Sequence, residues 1–186
     1  MNWTFSRNIA IGLLISFLAF AVPARADDSI HVTGADGTST DWTPDALKAQ
    51  FPNDIHNVIY TGEDDKQHKC NCVPLLTVLH AQHVETELHM DPKADPKLKN
   101  FNLRYVIVIV GKDGYTTVLS LGELIDDIGN KSAWLALDQD NAPLSERDAP
   151  IKLLVPQDGM HARWVHEIAT ITVVDPTLIA TTRPAQ

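Results

Sequence analysis

Residues 113–124 read DGYTTVLSLGEL, and residues 134–174 read WLALDQDNAPLSERDAPIKLLVPQDGMHARWVHEIATITVV. Asp113-Gly114 is a turn, because glycine tolerates the left-handed backbone that a tight hairpin needs. It sends the chain into a strand over 115–119. Ser120-Leu121-Gly122-Glu123 has capping-box spacing, a hydroxyl followed three residues later by a carboxylate, and opens a helix through Asp127. Residues 133–137 read as a strand and 138–141 as a turn. Residues 151–155 and 165–174 read as closing strands, the last rich in β-branched side chains.

Upstream, residues 104–110 carry the run Val106-Ile107-Val108-Ile109-Val110. Its unbroken β-branching predicts a strand buried on both faces, paired through Lys112-Asp113-Gly114 with the strand that follows. Residues 29–34 alternate polar and apolar and read as a strand, closed by an Asp36-Gly37 turn. Thr43-Pro44-Asp45 is a helix start, with a capping hydroxyl, a proline at the first helical position and an acid in the first turn. That helix ends near Phe51-Pro52. Residues 56–61 and 67–71 read as strands. Residues 74–83 read as a short helix with Leu75, Leu76, Val78 and Leu79 on its apolar face. Residues 91–100, with Pro92, Pro96 and three lysines, read as a surface loop. Strands outnumber helices, and the helices fall between strand pairs, which predicts an α+β domain built on a mixed sheet.

The N-terminus reads as a cleaved secretory leader over residues 1–26. Arg7 precedes an apolar run from Ile9 to Val22, and Ala24-Arg25-Ala26 is a small-x-small cleavage site. The run is short beside the ~20 residues of a membrane span. There is no twin-arginine pair, so export is expected in the unfolded state, to the periplasm, which disfavours a cofactor inserted beforehand. Residues 27–176 are expected to form one domain, and residues 177–186 a flexible tail. Removing the two leader arginines takes the formal net charge from −9 to −11. A chain so acidic is a poor partner for nucleic acid. No nucleophile elbow, phosphate loop or zinc-protease motif is present.

The segments Leu135-Ala136 with Asn141-Ala142-Pro143-Leu144, Ala149-Pro150-Ile151-Lys152-Leu153-Leu154-Val155-Pro156, and Arg163-Trp164-Val165 with Ile168 and Ile171 occur in the order and spacing of one known family. Over residues 56–174 the chain resembles the molybdopterin-binding domain of the sulfite oxidase family. The resemblance implies the mixed-sheet α+β fold of that family and a cleft shaped for a pterin. In the family a molybdenum-ligating cysteine ends a strand in a segment like V-x-C-x-G. Here the matching segment is Val58-Ile59-Tyr60-Thr61-Gly62, and a phenol is no substitute for a soft thiolate. No catalytic residue and no metal ligand are therefore expected, and molybdenum is not expected. In length, leader and missing cysteine the chain is similar to short periplasmic pterin-binding proteins. That implies a reduced pterin or molybdopterin-like ligand and, as partner, a periplasmic domain of a membrane cyclic-di-GMP enzyme. The rival reading is a molybdopterin-dependent oxidoreductase or its accessory subunit.

A pterin needs a flat apolar or aromatic wall, partners for its hydrogen-bonding edge, and donors at the mouth. Residues 156–164, PQDGMHARW, offer all three on one loop. Asp158 can accept from the pterin edge, His161 and Arg163 supply polar groups, and Trp164 fits either ligand wall or core. Trp134, at the head of the strand over 133–137, fits either wall or core as well. Tyr60 is expected to face the cleft. Cys70-Asn71-Cys72 fits a disulfide or two free thiols. A metal site with His68 and His83 is the further alternative, although structural zinc sites space their cysteines more widely.

Overall fold

The computed structural model of the chain describes residues 28–88 and 99–180. The leader over 1–26, most of the loop over 91–100 and the end of the tail lie outside the described residues.

Strands β1 (Ile30–Thr33), β2 (Ser39–Trp42), β9 (Ile168–Val174), β5 (Val106–Gly111) and β6 (Thr116–Ser120) form a five-stranded sheet in the order β2-β1-β9-β5-β6. β1 and β9 run parallel and the other pairs antiparallel, so this sheet is mixed. A second, fully antiparallel sheet has the order β3-β4-β7-β8, from β3 (His56–Thr61), β4 (Gln67–Pro74), β7 (Trp134–Ala136) and β8 (Lys152–Leu154). The sequence predicts a single mixed sheet, and the structure divides it in two. One apolar core holds Ile30, Ile107, Ile109 and Ile171 of the first sheet with Cys72, Leu135 and Leu153 of the second.

Two of the helices begin where their caps predict. The Thr43 hydroxyl accepts from Ala46 N–H at 3.1 Å and opens α1 (Pro44–Gln50). α2 (Leu75–Ala81) buries Leu75, Val78 and Leu79. α3 (Leu121–Leu124) opens on the Ser120–Glu123 capping box, with Ser120 N–H donating to Glu123 Oε1 at 3.2 Å. It stops well short of Asp127, because Ile125 is already extended.

Three further expectations change. The run Val106–Val110 is buried on one face only. Ile107 and Ile109 are fully buried, while Val108 pairs across the hairpin with exposed Val118. Its outer face therefore tolerates water, and β-branching here marks strand propensity more than burial. β2, sequence STDW, has no hydrophobic alternation to announce it and is held by its pairing with β1. At the start of the expected tail, Pro176–Ala180 forms helix α4, docked by Arg104, whose Nη2 meets Asp175 Oδ2 at 2.7 Å.

Candidate functional site

The end of β3 and the loop after β8 build one cleft. Tyr60 sits opposite His68 in the β3–β4 register, on the face turned inward, and is 5% exposed. Its neighbour Ile59 points outward at 65% exposure, as strand alternation requires. The loop over 155–164 returns beside β3 and closes in a short 3₁₀ turn, His161–Arg163. Tyr115 of the first-sheet hairpin ties this loop down by donating its hydroxyl hydrogen to the Ala162 carbonyl. Ile59, Tyr60, Thr61, Gln67, Pro156, Asp158, His161 and Trp164 then line a hollow of about 340 Å³. That is at the lower end of the ~300–1,000 Å³ typical of small-molecule sites.

The wall of this hollow is aromatic. Trp164 is 4% exposed and its indole N–H donates to the Val155 carbonyl at 3.2 Å. Tyr60 meets the Trp164 ring edge to face at 5.3 Å, and His161 stacks on it at 3.9 Å with 21° between planes. The Tyr60 hydroxyl donates to Gln139 Oε1 at 2.5 Å. Burial, and after it the charges of Asp148, Asp140 and Asp64, push the Tyr60 phenol up to about 12.

Asp158 and Arg163 form a two-bond fork, Nε to Oδ2 and Nη2 to Oδ1, both 2.7 Å. Arg163 Nη1 donates to Glu123 Oε2 at 3.0 Å, and Lys131 Nζ donates to Asp158 Oδ1 at 2.9 Å. Glu123 thus caps α3 with one oxygen and holds the cleft loop with the other. The Arg163 hydrogen bonds, against the pull of burial and with help from Lys131, hold the Asp158 carboxyl down at about 2. Arg163 itself is stabilised as a cation, first by Asp158.

On the other side of Tyr60 lies a polar arm of about 220 Å³, lined among others by Glu63, Asp64, His68, Asp148, Lys152 and His166. Lys152 is 6% exposed and donates to Asp148 Oδ2 at 3.3 Å. Its ammonium lies 5.9 Å from the Tyr60 ring centre and 5.7 Å from that of Trp164. His166 shares one hydrogen bond with Asp148 and faces Glu63 at 3.3 Å on its other nitrogen. Burial works to raise the Asp148 carboxyl, yet the His166 hydrogen bond and the Lys152 charge hold it below the ordinary carboxylate range. His68 is held between Asp140 at 2.7 Å and Asp64 at 3.0 Å, hydrogen bonds that raise its pKa.

Of the residues singled out in the sequence, Tyr60, Asp158, His161 and Trp164 meet in the first hollow, and Arg163 lies behind it, bound to Asp158. Trp134 does not join them. It lines a separate hollow of about 250 Å³ with Pro74, His80 and Lys131, and its ring packs 5.2 Å from His56. Sequence reading missed the polar arm. The available signal was Lys152 itself, a charge inside the apolar run Ile151–Val155, where a lysine is buried only with a partner.

Cys70 and Cys72 are bonded to each other within β4 and buried at 1% and 0% exposure. They are the chain's two cysteines, so no thiolate remains to bind a metal at the cleft. Among the described residues no group of His, Cys, Asp and Glu is arranged to hold a metal ion. The donor set therefore does not fit thiolate-ligated molybdenum.

No family model matches the chain, and no curated protein matches it. Among solved structures, the sulfane dehydrogenase SoxCD from Paracoccus pantotrophus is similar in fold, with a TM-score of 0.53 at 15% identity. The match covers 83% of this chain and 40% of that one, so the chain spans well under half of the protein it resembles. The likeness shows a fold related, at a distance, to the sulfite oxidase-type molybdopterin-binding fold.

Proposed function

We propose that this protein is a periplasmic receptor for a reduced pterin, without catalytic molybdenum, that passes its ligand state to a periplasmic domain of a membrane cyclic-di-GMP enzyme. The observation that carries the reading is the cleft at Tyr60. A fold related to a pterin-binding one keeps an aromatic-walled hollow flanked by a polar arm. At the strand end where the family resemblance calls for a thiolate it has a phenol, committed to Gln139. The Cys70–Cys72 disulfide supports the exported location, because such bonds persist in oxidising compartments. The partner assignment rests on the sequence resemblance.

The test is purification from the native host, followed by mass spectrometry of any co-purified ligand and elemental analysis. A pterin without stoichiometric molybdenum is the expected result. About one molybdenum per chain would instead establish the oxidoreductase reading, which draws on fold likeness alone. Tyr60→Cys is expected to gain no oxidase activity, because a new thiol does not supply the cofactor.

A further inference from the structure

We propose that Lys152 is the polar anchor of the ligand and recognises a hydrogen-bond acceptor, the ring carbonyl of the heterocycle. The assignment rests on the pterin reading above and names how that site selects its ring.

Arg163 and Lys152, on either side of Tyr60 and Trp164, differ in what they have left to offer. Arg163 is the more committed: its Nε, Nη1 and Nη2 each donate to Asp158 or Glu123, so all three of its nitrogens are held by carboxylates. Lys152 is less so. An ammonium has three hydrogens to donate, and among the described residues Lys152 makes one hydrogen bond, to Asp148 Oδ2 at 3.3 Å. Asp148 is shared, since its other oxygen is bonded to His166. The Lys152 side chain is nonetheless buried, at 8% exposure. A buried charge with unused donors is costly unless something polar completes its shell.

Position sets the chemistry that Lys152 can recognise. Lys152 lines the polar arm and its ammonium lies within reach of the two rings that wall the aromatic hollow. A flat ring seated past Tyr60 would bring one edge to the ammonium. An ammonium donates and never accepts, so that edge must carry an acceptor. In a pterin the ring carbonyl is such a group, while the neighbouring ring N–H and exocyclic amine are donors.

The test is anaerobic calorimetry with two probes, a dimethyl tetrahydropterin and its diamino counterpart, in which an amine replaces the carbonyl. Wild-type protein is expected to prefer the pterin by about tenfold to a hundredfold, the ratio set by one hydrogen bond to a charged group. Lys152→Met is expected to lose that preference and bind both probes alike. A folded Lys152→Met that keeps the preference overturns the assignment and leaves the pterin reading standing. If the wild type binds neither probe, the pterin reading fails and the assignment falls with it. Should Lys152→Met not fold, Lys152→Arg keeps a charge beside Asp148 but replaces the compact ammonium with a planar fork. It is expected to weaken pterin binding severalfold, and wild-type affinity in this variant would overturn the assignment.

Discussion

Arg163 and Asp158 lie side by side, joined by two hydrogen bonds of 2.7 Å on the loop that closes the cleft. Glu123 and Lys131 complete the cluster from the segment after β6, so the loop is anchored by charge from outside itself. Arg163→Ala or Asp158→Ala is expected to weaken pterin binding by about 1–3 kcal/mol, the scale of one charged hydrogen bond left unpaired. The loss acts through the order of the loop, so thermal unfolding should show destabilisation alongside the calorimetry. Unchanged affinity in both variants would move the site toward the polar arm.

The same pair sets an acid limit. The Asp158 carboxyl titrates at about 2 in the folded protein and near 4 in an unfolded chain. Its stabilising contribution is present above about pH 4 and is lost as pH falls through the folded value. Denaturant unfolding between those values should show wild type losing stability that Asp158→Asn never had.

Tyr60 sets the opposite limit. Its phenol stands at about 12, raised first by burial, against about 10 unfolded. The folded state therefore holds this proton more tightly, and stability is expected to fall as pH rises from about 10 towards 12. Phenolate absorbance on folded protein should show a tyrosine titrating near pH 12 that Tyr60→Phe removes, with Tyr105, which burial also raises, left in place. If all tyrosines titrate together near the unfolded value, Tyr60 is not buried as described.

Much of the fold is legible because strand alternation and caps are local properties. The Thr43 and Ser120–Glu123 caps and the hairpin at Gly114, with φ of 84°, follow from residues a few positions apart. The split into two sheets is not local, and neither is β2, whose STDW sequence becomes a strand through pairing with β1. The site divides the same way. Asp158, His161 and Trp164 share one loop and could be read together. Lys152, Asp148, His166 and His68 come from separate elements, and the tertiary fold brings them to Tyr60.

Cys70 and Cys72 line none of the described cleft surfaces, although they sit on the strand beside Tyr60. Replacing both by Ser is expected to leave pterin affinity within a few-fold. Stability should fall by up to a few kcal/mol, as when a native disulfide is removed. Loss of pterin binding in the folded double variant would instead tie this segment to the ligand.

Asp148 and Lys152 are the buried ion pair of the polar arm, at 11% and 8% side-chain exposure. Taking one partner away strands the other charge in a largely buried site. Asp148→Ala is therefore expected to destabilise by about 3–5 kcal/mol, and His166 loses its hydrogen-bond partner in the same step. Asp148→Leu combined with Lys152→Met removes both charges and fills the space with apolar atoms. That double variant is expected to be more stable than Asp148→Ala, because a buried pair contributes little net stability beside a packed apolar substitute. Denaturant unfolding compares them directly. The double variant should recover stability and still fail to select the pterin, which would separate the pair's part in recognition from its part in the fold. If the double variant is no more stable than Asp148→Ala, the stranded-charge account of the polar arm is wrong.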